Sequence, residues 1–273
     1  MFEKESQHHL PDTDRMSTLT ATILLAYTLE RFISFPGRDF SIQLPGFFID
    51  ITFNIQVLVV LLVAGLTASG ANWLIREHPS IGKKKMIEHW LLPAMTALVI
   101  AIPLFQVPQR PIWWVGFAVG GGLIILVIIA EYITINPQDL RYPPAAAVIT
   151  AISFALFLIL AAALSYAETR LLLLLPALTI SSLLVSLRVL RLRFPNKWLL
   201  IESITVTLIT AQIAAALHYL PISPVAYGLA LLAPAYALIN LTGNLAEGET
   251  YRQAMIEPIV MLSILWFAAF WLR

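Results

Sequence analysis

Apolar residues in this chain are gathered into runs of roughly 17–24, each closed by a short polar or proline-containing break, the length needed to cross ~30 Å of hydrocarbon as a helix. The runs predict helices over Ser17–Ser34, Asn54–Ile75, His89–Val107, Ile112–Ile135, Pro144–Tyr166, Leu171–Leu190, Lys197–Tyr219, Val225–Leu241 and Ala254–Leu272. Breaks such as PQRP at 108–111 and LPISP at 220–224 separate neighbours, because proline cannot continue the ladder of the preceding helix. The fold class this predicts is an all-α integral membrane protein with about nine transmembrane helices. Residues 1–16 are expected to form a flexible cytoplasmic tail, and 17–273 a single polytopic domain.

One stretch departs from the helical pattern. In FSIQLPGFFIDITF, residues 40–53, apolar and polar side chains alternate on both sides of Pro45-Gly46. Period-two alternation around such a dipeptide predicts a small β-hairpin, Ser41–Leu44 against Phe48–Ile51, on the outer surface between the first two helices. An irregular interfacial loop is the alternative. Gly65 with Ser69, and Gly116 with Gly120, Gly121 and Gly122, predict faces where helices approach closely. Pro93, Pro103, Pro176, Pro234 and Pro258 fall inside the runs and imply kinks.

Composition removes the soluble alternative. The chain is 59% hydrophobic and 12% charged, with a mean hydropathy of +0.82, against about 45–50% apolar and roughly 25% charged in soluble domains. A net charge of +1 supplies no extended basic face, so nucleic acid is excluded as a partner. The absence of cysteine excludes disulfides, thiolate catalysis and thiolate metal ligands. The polar, mixed-charge opening MFEKESQHHLPDTDRM is not a signal peptide, and the first apolar run is expected to stay as an uncleaved helix.

Lysine and arginine then set the orientation. The two richest loops hold Arg76 with Lys83, Lys84 and Lys85, and Arg188 with Arg191, Arg193 and Lys197. They follow the second and sixth helices, an even number of crossings apart, so one topology puts both inside together with the N-terminus. Arg31, Arg38, Arg110, Arg170 and Arg273 are left outside. The expected location is the cell (inner) membrane.

Charge buried in lipid is costly and needs a partner or a purpose. This topology puts Glu131, Arg188, Glu202 and Glu257 in the cytoplasmic half of four different helices, with Asn72, His89 and Asn240 at similar depth. Two readings stand. Either these groups line a polar cavity open to the cytoplasm, or each snorkels to the nearby headgroups. Arg188 and Glu202 lie a few residues inside the same membrane face, so Arg188 is expected to pair with Glu202 or Glu257. The Glu77-His78 and Glu88-His89 pairs fit no ligand spacing, and the lysines between them repel cations, so no metal site is expected. Lys83, Lys84 and Lys85 are candidates for contact with anionic lipid headgroups. No motif implies a cofactor.

Nine helices, an inner N-terminus and cytoplasmic loops after helices two and six resemble the topology of the intramembrane prenyltransferases. In that family the two loops carry aspartate-rich motifs that hold magnesium and a polyprenyl diphosphate. Here they read ANWLIREHPSIGKKK and RLRFPNKW; Asn72 matches the leading asparagine, but neither loop contains aspartate. The resemblance covers topology and not chemistry. The opening third, YTLERFISFPGRDFSI followed by TASGANWLIREHP, also resembles an uncharacterised family of bacterial multi-pass proteins, which implies no activity. Two functional classes follow. One is a non-catalytic membrane component that contacts lipids and other membrane subunits. The other handles a lipid or isoprenoid through the cytoplasmic polar cavity, as a degenerate transferase or a carrier.

Overall fold

The computed structural model describes residues 12–32, 38–44, 47–53, 55–76, 87–106, 111–195 and 197–273. In chain order these form α1 Thr13–Phe32, β1 Arg38–Leu44, β2 Phe47–Phe53, α2 Ile55–Ile75, α3 Ile87–Gln106, α4 Pro111–Ile133, α5 Tyr142–Tyr166, α6 Leu171–Arg193, α7 Leu200–Leu217, α8 Pro224–Ala246, α9 Tyr251–Ala254 and α10 Ile256–Trp271. Among them, α2 to α8 and the combined run Tyr251–Trp271 are eight segments long and apolar enough to cross a membrane. The chain is built as a multi-pass membrane protein. Helix α1 stands apart from the eight because Asp14 and Arg15 lie at its start and Glu30 and Arg31 at its end.

Several boundaries differ from the sequence reading. Residues 13–16, expected in the tail, are the first turn of α1. There the Asp12 carboxylate accepts from the Asp14 N–H at 3.0 Å, the bond by which a polar residue caps a helix start. Helix α7 begins at Leu200 rather than Lys197, and α8 runs on to Ala246. The strands β1 and β2 pair antiparallel with Ser41 opposite Asp50, Ile42 opposite Ile49 and Gln43 opposite Phe48. Pro45-Gly46 and most of the 1–16 tail lie outside the described residues.

Contacts divide the chain into two compact units, Met1–Asn136 and Pro137–Arg273. In the first, each helix packs on the next and α1 also meets α4. Its core joins Ile23 and Tyr27 of α1, Val63 and Leu74 of α2, Ala97 and Ala101 of α3, and Ile124 and Ile128 of α4. The Tyr27 hydroxyl donates to the Ala97 carbonyl, tying α1 to α3. Lipid tails are as apolar as leucine, so dispersion and shape hold such bundles. Small residues therefore mark the close approaches. A Cβ on Gly120 would overlap Ile100 of α3, and one on Gly70 would overlap Leu19 of α1. The expected Gly65–Ser69 face is corrected: a Cβ on Gly65 meets open space, and both residues are exposed.

In the second unit α8 is the hub, touching α5, α6, α7, α9 and α10. Its proline explains one of those contacts. Pro234 has no N–H, so the Ala230 carbonyl four residues earlier loses its helical donor. Trp266 of α10 supplies one instead, its indole N–H donating to Ala230 O at 3.2 Å. The Ala254 carbonyl, four residues before Pro258, accepts from Asn244 Nδ2 of α8 at 3.3 Å. Each of these two prolines is thus matched by a side-chain donor from the facing helix. Outward-facing positions carry large apolar groups, among them Leu58 and Leu61 on α2, Val115 and Val119 on α4, and Phe267 and Phe270 on α10. Apolar exposure on this scale marks a surface meant for lipid.

Candidate functional site

The first unit buries one acid–base pair. His89 lies two residues inside the start of α3 and Glu131 two residues inside the end of α4, so two antiparallel neighbours bring them to one level. His89 Nδ1 stands 2.8 Å from Glu131 Oε2, with side chains 5% and 0% exposed. Around them Tyr132 and Ile135 pack with Ala71 and Ile75 of α2 and with Trp90. Asn72, next to Ala71 on α2, is half-buried. The sequence places His89 and Glu131 at similar depth without pairing them. The symmetry that suggests Arg188–Glu202, equal distance from a shared membrane face on consecutive helices, holds equally for these two.

The second unit contains the other four candidates. Arg188 is buried on α6, 6% exposed, so protein rather than headgroups surrounds its guanidinium. Glu202 is half-buried in the first turn of α7, which packs on α6. Asn240 turns back on its own helix, its Nδ2 donating to Tyr236 O at 3.1 Å. Glu257 is exposed, and its Oε1 accepts from the Tyr236 hydroxyl at 2.8 Å, linking α10 to α8.

A further network joins the same elements through Arg193, which the sequence reading treats only as a topological charge. Its Nη2 donates to Asn244 Oδ1 at 3.0 Å, and its Nε stands 3.1 Å from Glu247. A Cβ on Gly243 would overlap the guanidinium, so glycine is what lets the arginine lie across α8. Since Asn244 also donates to Ala254 O, one chain of contacts runs from the end of α6 through α8 to α9.

The seven candidates therefore fall three in one unit and four in the other. Among the described residues, no three of His, Asp or Glu gather as metal ligands. Lys83, Lys84 and Lys85 lie outside the described residues. Unit two also has a groove of about 560 Å³, but at the opposite end of its helices, where α7 and α10 finish and α8 begins; its walls are apolar side chains, with Arg273 among the lining residues.

A family model matches residues 35–272, which is most of the chain; its description is "Protein of unknown function (DUF5656)". The chain belongs to this family. The match includes all eight apolar helices and both strands, and the family's description carries no activity with it. No curated protein and no solved structure matches the chain.

Proposed function

We propose that this protein is a non-catalytic component of the bacterial inner membrane, acting through the lipids and membrane subunits that its helices contact. The observation that carries the reading is the use made of polar groups inside the spans. His89 meets Glu131, Tyr236 meets Glu257, Trp266 meets Ala230 O, and Arg193 meets Asn244. Each contact joins two neighbouring helices, which is what a packed bundle requires of buried polar atoms. A catalytic or transport site would instead need several such groups to converge on space a substrate can enter.

Complementation tests this. In a strain lacking the gene, the double variant His89→Leu with Glu131→Leu, and separately Glu257→Gln, are expected to restore the phenotype wherever membrane levels of the protein are normal. Normal levels without restoration would sink the non-catalytic reading.

The proposed topology has nine crossings, α1 included, with the N-terminus in the cytoplasm. Cysteines at Ser6, Ser80 and Asn196 are then shielded from an impermeant thiol reagent added outside, while one at Gln109 is labelled. Labelling at Ser6 alone among the first three would mean that α1 does not cross. Labelling at only one of Ser80 and Asn196 would mean that the crossings between the basic loops are miscounted.

Arg188 is proposed to neutralise a carboxylate of its own unit, with Glu202 the leading partner. Arg188→Leu is expected to lower the melting temperature in detergent, and adding Glu202→Leu to recover part of the loss by removing the stranded charge. A double variant no more stable than Arg188→Leu would end the assignment.

A further inference from the structure

The groove at the end of unit two is built rather than slack. Helices α7 and α10 both pack on α8, and between them lie only the small side chains of Ala226 and Ala230, below Ile213 on one wall and Trp266 with Phe270 on the other. Trp266 cannot swing in to fill the space without giving up its bond to the Ala230 carbonyl. The end of α10 is fixed as well, since the Ser223 hydroxyl donates to Leu272 O at 2.7 Å.

What can occupy it follows from the lining. The volume, about 560 Å³, falls in the ~300–1,000 Å³ range of ligand cavities. Water there would need two to four polar partners, and the one carbonyl that Pro234 frees at the floor is already taken by Trp266. An apolar occupant leaves no hydrogen bond unmade. The lining includes one charged side chain, Arg273, and no carboxylate side chain. Trp266 and Arg273 are seven residues apart, about 10 Å along a helix, so the cation belongs at the headgroup layer when the floor is among acyl chains. The neighbouring exposed face of α10, with Phe267 and Trp271, continues the groove into the lipid-facing surface.

We propose that this groove binds one acyl chain of an anionic phospholipid, with the lipid phosphate on the Arg273 guanidinium. The site goes beyond the role proposed above and does not depend on it. Arginine suits this task because its planar fork meets phosphate oxygens with two parallel bonds.

The full-length protein in mild detergent should be titrated with phosphatidylglycerol and with phosphatidylcholine of identical chains, and lipid occupancy read by native mass spectrometry. The expected result is about fivefold tighter binding of phosphatidylglycerol, the effect of one basic residue near an anionic headgroup. Arg273→Gln should bring its affinity down to that of phosphatidylcholine, while Ala230→Leu, which fills the floor, should weaken both. Because Ala230→Leu also crowds α8, a second measurement uses the unaltered protein: phosphatidylglycerol with a photoreactive acyl chain, in vesicles, should cross-link to the segments around Ile213 and Phe270. Equal affinities for the two lipids, an unchanged preference in Arg273→Gln, or cross-links spread evenly over α2, α4 and α10 would each overturn the site. So would a dimer that covers the groove and retains no lipid.

Discussion

His89→Leu is expected to cost the folded protein about 3–5 kcal/mol, the usual penalty for stranding one member of a buried pair. Glu131 is fully buried, so its carboxylate can recover neither water nor headgroups once the imidazole is gone. Glu131→Leu alone is expected to be damaging for the mirror reason. Both replacements together are expected to be milder than either, because no polar group is then left stranded and leucine suits the apolar shell of Tyr132, Ile135 and Ile75. Melting temperatures of the four proteins in one detergent form the double-mutant cycle that measures this. Strict additivity would mean that the 2.8 Å approach contributes no coupling to the fold.

The second large effect is expected at Gly228 on α8. A Cβ there would stand 3.0 Å from the Leu158 carbonyl oxygen and 3.4 Å from the Ala162 nitrogen, both backbone atoms of α5. Backbone cannot rotate away as a side chain can, so Gly228→Val must push the two helices apart, at a cost of about 1–3 kcal/mol for overpacking. Gly65→Val is the matched control: its new side chain enters open space on α2 and is expected to leave the melting temperature nearly unchanged. Equal losses at both sites would mean that glycine matters for helix conformation and not for this approach.

The contrast between the two glycines shows how far the sequence can be read. Run length alone places the spans, because the thickness of hydrocarbon fixes how many apolar residues a crossing needs. The side of a helix is harder. In a soluble protein a polar stripe marks the outward face, whereas here both faces are apolar, so Gly65, which faces outward, and Gly120, which packs on Ile100, look alike in the sequence. The same blindness affects the polar candidates. Helix-end arithmetic puts His89, Glu131, Glu202 and Glu257 near one level. It does not say that Glu257 is taken by Tyr236 or that Arg193 crosses α8 at Gly243. Those contacts depend on rotation about each helix axis, which a uniform apolar pattern does not encode.

Trp266 follows Ala230, whose carbonyl it satisfies, by 36 residues. During synthesis α8 therefore leaves the ribosome before its own donor exists. Until α10 emerges, the gap at Pro234 must be covered by water or by a borrowed donor, and the helix is held in the bilayer at a penalty that only later translation removes. A chain cut short after α8 would keep that penalty permanently and give membrane quality control an unpaired carbonyl to find.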